Sequence, residues 1–552
     1  MNSTTYDLYA EDLKNLLEGD VSILEADRER VARDTSLFYV KPEIVVYPKN
    51  KEDISKLLVF VERTKGKDPT ISVAFRSAGS CMTGGSLSTS VVVDVTRYMN
   101  HITHVDGVFA TAEPGVFYRD FEKETLKSGW FLPSYPASRE IAAIGGIVSN
   151  NSGGEKTLVY GKTEKYIKSL DIVYANGEYD TICPLNTAQL KIKKDEQNES
   201  GRIHREMFNL INDNYDIIKQ AKPTVSKNSA GYYLWNVYDK DNDVFDLTKL
   251  IAGSQGTLVA VTSATLFGVK PKDYSRMIIM FVPSTTHLGE IIPKLLEHKP
   301  ETLESFDDNT FKIAVRFFKD IAIRMGGNLF MLGFQFLPEF WMALTGGVPK
   351  IILMAEFTGD NEEEVEKQAI GAYEDMKKFG FPIKRTKSEQ EAKKYWTFRR
   401  ESFNLLRKRL SGYRTAPTID DIIVHPKDLP KFLPELQTIF SKYDLIYTVA
   451  GHMGDANFHV VPLIDIHKEG IIDDLHRLMD EVYDLVISYK GSISGEHNDG
   501  LLRTTYLSKM YQPEIIKLFE QTKDIFDPKK ILNPMKKVRG NKEFSWNHID
   551  RV

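Results

Sequence analysis

The stretch FRSAGSCMTGG, residues 75–85, decides how this chain is read. It follows ISVAF (71–75), an apolar run with the pattern of a strand. Glycine tolerates φ > 0, so successive N–H groups in such a turn can point at one anion. The turn is not a Walker A loop, which would end in Gly-Lys-Ser/Thr, nor a GxGxxG fingerprint. Taken alone, it is also what an ordinary turn looks like. Three further loops shift the balance. They are EPG (113–115), IGGIVSNNSGG (144–154) and GSQGTL (253–258). The second packs four glycines and two asparagines into eleven residues. Permissive residues on so many separate loops suit backbone wrapped around a long polar ligand, and a pyrophosphate-containing dinucleotide meets that need.

Outward from this turn the pattern is mixed α/β. EIVVYP (43–48) reads as a strand, 54–63 as a helix and SVVVDV (90–95) as another strand. Residues 1–40 are expected to be helical, with Leu13, Leu16 and Leu17 on one face. The first domain ends after LVAVTSATLFGV (258–269), with a boundary at the charged, proline-bearing KPKD (270–273). The second alternates strands (MIIMFVP, IILMAEF) with helices such as EEEVEKQAIGAYEDMKKFG, which predicts a sheet covered by helices. The tail MYQPEIIKLFEQTKDIFDPKKILNP reads as a helix followed by a proline-bounded turn.

A second cluster of chemistry lies in GHMGDANFH (451–459) and SGEHNDG (494–500). The flanking runs LIYTVA and FHVVPLI read as strands. With 454–457 as the loop, Met453 faces Phe458 and His452 faces His459. Directly opposed side chains have Cβ atoms roughly 4.5–5.5 Å apart, close enough for two imidazoles to reach one ion. Glu496 could be a third ligand, leaving a position for substrate. Paired histidines in a hairpin also occur as plain hydrogen-bonding or surface residues; the nearby Glu-His pair favours metal.

Composition sets limits. Of 552 residues, 42 % are hydrophobic and 27 % charged, an ordinary globular balance. With 72 basic and 77 acidic residues, the net charge of −5 gives no nucleic-acid footprint. Two cysteines, Cys81 and Cys183, cannot hold an iron–sulfur cluster between them, and so few fit a reducing compartment. The N-terminus lacks the apolar core of a signal peptide. The most apolar stretch, 328–354, is interrupted by Gln335, Pro338, Glu339, glycines and Pro349. It reads as buried core, with a membrane- or quinone-facing surface as the lesser alternative.

Taken together, the motifs resemble FAD-linked oxidases and dehydrogenases of the vanillyl-alcohol-oxidase type, and within them the D-lactate dehydrogenases, D-2-hydroxyglutarate dehydrogenases and the catalytic subunit of glycolate oxidase. The landmarks run in the family's order from about 33 to 536: RDTSLFYVKPEIVVYP, FRSAGSCMTGG, EPGV, LPSYPASRE, IGGIVSNNSGG, YGKT, GSQGTL, YWTFRRE, GHMGDANFH, SGEHNDG and FDPKKILNP. The resemblance implies an α+β fold: a helical segment (1–40), a two-subdomain FAD-binding domain of PCMH type (41–270), an α+β substrate or cap domain with a metal site (271–505), and a C-terminal segment (506–552) packing back on the FAD domain. It implies FAD held by Arg76, Ser77, Ala78, Gly79 and Ser80, with Thr83 and Gly84 nearby. Pro114, Gly115, Pro133, Ser138, Gly145, Gly146, Asn150 and Gly153 would follow the ribitol and isoalloxazine. Val261 would meet the adenine end, and Asn533 would approach the flavin from the tail. Ser80 stands where some covalently flavinylated relatives have histidine, so non-covalent FAD is expected, with Cys81 as the other attachment candidate.

The same resemblance makes His452, His459 and Glu496 the ligands of a divalent metal, zinc first and manganese second. It makes His497 the base and Arg399 the holder of the substrate carboxylate, with Arg400 able to exchange roles; an exposed helix arginine is the plainer reading. The implied reaction is oxidation of a D-2-hydroxy acid to the 2-oxo acid by a cytoplasmic enzyme, with peripheral membrane contact and a homodimer left open. Electrons would pass to a quinone, cytochrome or electron-transfer protein. The rivals are a metal-independent flavin oxidase of another alcohol and a flavoprotein subunit that only relays electrons. The chain departs from its relatives at Ala456, usually glycine, and at Asn498-Asp499-Gly500, usually Gly-Ile-Gly. Gln255 replaces a common glutamate, and Ser134-Tyr135 a Pro-Asp pair. The apolar stretch around 330–342 weakly favours a hydrophobic pocket or partner surface, and no second basic residue is assigned to a distal carboxylate.

Overall fold

The computed structural model describes residues 3–308, 349–386, 388, 391–393, 395–396, 399 and 413–551. The apolar stretch expected to be core lies mostly outside the described residues, as do 330–342 and Arg400; its end, Ile351 to Met354, is buried in the strand Ile351–Gly359.

Two larger sheets and a two-stranded ribbon, Tyr238–Asp239 with Val244–Phe245, precede residue 270. The first has four strands in the order Asp20–Ser22, Ile44–Tyr47, Val91–Asp94, Val73–Arg76. The last three run parallel. Such strands are covered on both faces, which is why IVVY and VVVD are buried at every position instead of alternating. The helix Lys51–Thr64 makes the crossover. Asn50 caps it by accepting the Asp53 N–H at 2.9 Å, and Ile54, Leu57, Leu58 and Val61 form its buried stripe. The second sheet is antiparallel, in the order Ile102–Val105, Phe109–Ala112, Ala260–Phe267, Ile167–Val173, Tyr179–Ile182.

The N-terminal expectation is only partly met. The helix Ser3–Leu16 buries Leu13, and Leu17 is buried just beyond it, but Leu16 is exposed. At 100° per residue Leu16 and Leu17 cannot both lie on a narrow core stripe. The rest of the segment is not one helix: Asp20–Ser22 adds an antiparallel edge strand, and a separate helix spans Glu25–Val31.

The third sheet has eight antiparallel strands, with Thr302–Asp307 between Ile351–Gly359 and Ile446–His452, and Asn457–Ile464 beyond. The helix Glu362–Lys377 packs on the strands Tyr274–Val282 and Ile351–Gly359. The tail helix Pro513–Phe526 packs on Glu199–Asp213. Beyond it the chain returns to the first sheet, where the Val73 N–H donates to Ile531 O and the Asn533 N–H to Val73 O, at 2.8 and 2.7 Å. The sheet with the glycine-rich turn thus gains its last neighbour from the far end of the chain.

Candidate active site

The strand Val73–Arg76 delivers the chain into the turn at 77–86, which forms one wall of a cavity of about 380 Å³. Among the described residues, the amides of Ser77, Ala78, Gly79 and Ser80 find no acceptor. A row of half-exposed amides left free along a cavity wall can point together at one anion. Gly79 has φ +69°, the conformation that lets the row curve. Opposite stands the short helix Ile144–Asn150. A Cβ on Gly145 would lie 2.5 Å from Pro114 Cβ, so glycine there is a packing necessity. A Cβ on Gly146 would meet nothing nearer than Ser77 Cβ at 3.6 Å, so its bareness keeps the cavity open instead.

Of the residues expected to hold a cofactor, Arg76, Ser77, Ala78, Gly79, Ser80, Pro114, Ser138, Gly145, Gly146, Asn150, Gly153 and Val261 line this cavity. Thr83, Gly84, Gly115, Pro133 and Asn533 do not. They build the wall from behind. The Thr83 carbonyl accepts the Leu501 N–H at 2.8 Å, Gly84 backs onto Phe38 and Leu501, and Gly115 onto the backbone of Val95 and Met99. Pro133 is buried, and Asn533 donates through Nδ2 to Gly85 O and Gln255 O at 2.7 and 2.6 Å. Gln255, read in the sequence only as a departure from a common glutamate, also lines the cavity, as do Ser149, Ser152 and Val259, which sequence reading did not single out.

The other end of the same cavity carries the histidines. The expected hairpin register is wrong by one pairing step. His452 pairs with Asn457 and Ala450 with His459, across a tight turn at Met453–Asp455 closed by Ala456 at φ 51°. The left-handed Ala456 occupies a conformation that glycine adopts freely. Because a change of two residues preserves the face, His452 and His459 remain on one side as diagonal neighbours, with ring centroids 5.1 Å apart.

Three imidazoles converge on one oxygen. From Glu496 Oε1, Nε2 of His452 is 3.0 Å away, that of His459 3.3 Å and that of His497 3.8 Å. Ligand atoms about 2.0–2.2 Å from a tetrahedral ion stand roughly 3.3–3.6 Å apart, so the His459 separation fits a shared cation, while His452 and Glu496 stand at direct hydrogen-bond distance. Each ring is held from behind. His452 Nδ1 is 2.7 Å from Glu304 Oε1, His459 Nδ1 is 3.0 Å from Asp420 Oδ1, and His497 Nδ1 is 2.7 Å from Asp420 Oδ2. Lys227, fully buried, places Nζ 3.3 Å from Glu496 Oε2 and 3.2 Å from Asp455 Oδ2, turning the other carboxylate oxygen toward the imidazoles.

Burial alone would lower the His459 pKa, but Asp420 and Glu496 outweigh it and push it up to about 10. Burial would raise that of Glu496, yet His452 and Lys227 hold it well below the usual carboxylate range. A pocket that draws positive charge this strongly suits a cation. Asp421, His459, Glu496 and His497 each offer a ligand atom within 4.8 Å of the others. Asp421 is nevertheless occupied. Its oxygens accept the N–H groups of Glu496 and His497, the Ser494 hydroxyl and the Asn457 amide, at 2.7–3.1 Å. It builds the loop that carries the ligands.

Arg399 reaches the cavity, and it is not the exposed helix arginine of the plainer reading. Its Nη2 is ion-paired with Glu304 Oε2, and its Nε has no hydrogen-bond partner among the described residues. The chain's departures interlock here. Gln255 Oε1 accepts the Gly500 N–H at 2.9 Å, Asn498 Nδ2 donates to Gly253 O at 2.9 Å, and Asp499 Oδ2 accepts the Gly231 N–H at 2.9 Å. Asp420, Glu304 and Lys227 were missed. The only signals were a twin acid in TIDDII, an acid inside the apolar run TLESFD, and a lysine in SKNSAG.

Comparison with known proteins agrees with the geometry. Residues 42–182 match the FAD binding domain family, and residues 272–537 the family described as FAD linked oxidases, C-terminal domain. The chain is 24 % identical over 546 residues to a D-2-hydroxyglutarate dehydrogenase of Haemophilus influenzae, covering 96 % of this chain and 51 % of that protein; it thus spans about half that relative's length. It is 25 % identical over 501 residues to a D-lactate dehydrogenase of Archaeoglobus fulgidus, covering 90 % and 91 %. The fold also matches 4-ethylphenol oxidase from Gulosibacter chungangensis with a TM-score of 0.69, at 13 % identity and 99 % of each chain. Among the described residues no helix is long and apolar enough to cross a membrane.

Proposed function

The chain belongs to the FAD-linked oxidases, and from that premise we propose that it oxidises a D-2-hydroxy acid, lactate-like in class, to the 2-oxo acid. The observation that carries this reading is a single cavity with free turn amides at one end and the imidazole–carboxylate cluster at the other.

The 76–80 turn, with Gly145, Gly146 and Val261, would hold FAD, which supplies the two-electron acceptor that side chains lack. His452, His459 and Glu496 would hold a divalent ion, zinc or manganese, which supplies Lewis-acid polarisation of the substrate hydroxyl. Arg399 places a planar guanidinium on the cavity. Glu304 engages Nη2, and Nε, without a partner among the described residues, would bind the substrate carboxylate. His497 takes the hydroxyl proton at Nε2, the nitrogen turned away from Asp420. Asp420 stabilises the imidazolium that forms. Lys227 fixes Glu496 and touches no substrate.

The test is anaerobic mixing with a panel of D- and L-2-hydroxy acids while following the flavin's visible absorbance. D-acids should bleach it and L-acids should not. His497→Ala should keep its FAD and lose about 10²–10⁴-fold in the rate of reduction. A panel without a bleaching acid, or a variant that reduces at the parent rate, would overturn the reading.

A further inference from the structure

One carboxylate serves two rings in this site. Asp420 Oδ1 is 3.0 Å from His459 Nδ1, and Oδ2 is 2.7 Å from His497 Nδ1. The two imidazoles stack with centroids 4.9 Å apart and planes 18° apart, so a single carboxylate can span both Nδ1 edges. Asp420 is fully buried and cannot turn to solvent.

Its backbone is fixed as well. Arg503 Nη2 donates to Asp420 O at 2.5 Å, and Arg503 Nη1 to Asn498 O at 3.1 Å. Asp420 and Asp421 lie in the turn before the strand Ile422–Ile423, where Asp421 has φ 70°, and the two successive carboxylates meet one site, Asp421 on the loop amides and Asp420 on the rings.

Carboxylates only accept hydrogen bonds, so His459 Nδ1, hydrogen-bonded to Oδ1, must carry the hydrogen; His497 Nδ1 stands 2.7 Å from Oδ2, off the line of a hydrogen bond in this structure, and has no other acceptor among the described residues. We propose that Asp420 is a positioning residue that sets both imidazoles at once. It fixes the Nδ1–H tautomer of His459 and of His497, leaving each Nε2 with its lone pair toward the cavity, one as metal ligand and the other as proton acceptor. This rests on the function proposed above. Glu304 does the same for His452 alone, and Asp421 holds Glu496 and His497 through their backbone N–H groups, so among the described residues Asp420 is the carboxylate that faces a ligand ring and the base ring together. A change there therefore disturbs metal binding and proton acceptance jointly.

Asp420→Asn separates this role from mere packing. The amide oxygen still accepts one Nδ1–H, but its NH₂ donates to the other ring, which must then carry its hydrogen on Nε2. Imidazole ¹⁵N spectra of the histidine-labelled protein loaded with FAD and zinc should show the Nδ1–H tautomer at both rings in the parent and the opposite tautomer at one of them in the variant. Chelator competition with zinc should show affinity falling about 10–100-fold. Asp420→Glu keeps two acceptors and should lie closer to the parent than Asp420→Asn in both measurements. Unchanged tautomers in Asp420→Asn would overturn the proposal, as would zinc affinity within twofold of a zinc-binding parent. A parent that takes up no divalent ion would defeat the metal reading instead, and the tautomer of His497 would still decide the role of Asp420.

Discussion

Lys537→Met should destabilise the protein by about 3 kcal/mol. Nζ of Lys537 lies 2.8 Å from Asp499 Oδ2, 2.8 Å from Asn498 Oδ1 and 3.0 Å from Ser229 O, and Lys537 and Asp499 are both fully buried. Opposite charges 2.8 Å apart attract by about 6 kcal/mol at an effective dielectric constant of about 20. Most of that offsets the cost of taking both ions out of water. Removing only the cation leaves Asp499 buried and charged, and breaking such a pair costs about 3–5 kcal/mol. The low end applies, because burial pulls the Lys537 pKa down and Asp499 restores it only in part. At roughly 2–4 °C per kcal/mol for a domain of this class, the midpoint should fall by about 6–12 °C. Thermal unfolding of the FAD-loaded protein, followed by far-ultraviolet circular dichroism, measures it. Lys537→Met combined with Asp499→Leu should recover most of the loss, short by about 1 kcal/mol for the Gly231 N–H left without its acceptor. A single variant melting within about 2 °C of the parent, or losses that simply add, would refute the reasoning.

Gly145→Ala should fold and lose FAD on gel filtration, since its Cβ would press on Pro114 beneath the cradle; retention equal to the parent contradicts the cradle. Burial depresses the Lys536 pKa to about 7, against roughly 10.4 in the unfolded chain. The unfolded state therefore binds the extra proton between these values, and the cost of burying the charge is full below about pH 7 and relieved as pH rises toward 10. Lys536→Met should accordingly gain a few kcal/mol relative to the parent at pH 6 and lose that advantage by pH 10; a gap that does not change with pH refutes this. Asn533→Ala removes two buried hydrogen bonds and strands Gly85 O and Gln255 O, so urea unfolding should show a loss of about 2–4 kcal/mol. A loss under 1 kcal/mol means the tail does not brace the turn.

Much of this protein is local, and local features were legible. The unbroken valines at 91–93 announce a doubly covered strand. The glycine loops announce backbone given over to a ligand, and His452, His459, Glu496 and His497 stand close enough in the chain for two turns to gather them. The hairpin register was misjudged because residue patterns give the face of a strand but not the turn that sets its pairing, and Ala456 in a left-handed conformation moved it by one step. Leu16 was misplaced because a run of leucines looks like a stripe until the helix is set against a neighbour.

What only the tertiary structure decided is the company those residues keep. Glu304 stands behind His452 because its strand lies beside Ile446–His452 in the sheet, nearly 150 positions earlier in the chain. Lys227 reaches Glu496 from 269 positions earlier in the chain, Asp420 spans two rings, and Arg399 meets Glu304 before any substrate. Periodicities of 2 and 3.6 state which side of an element is buried. They are silent on which elements become neighbours, and a buried charge acquires its role from its neighbours.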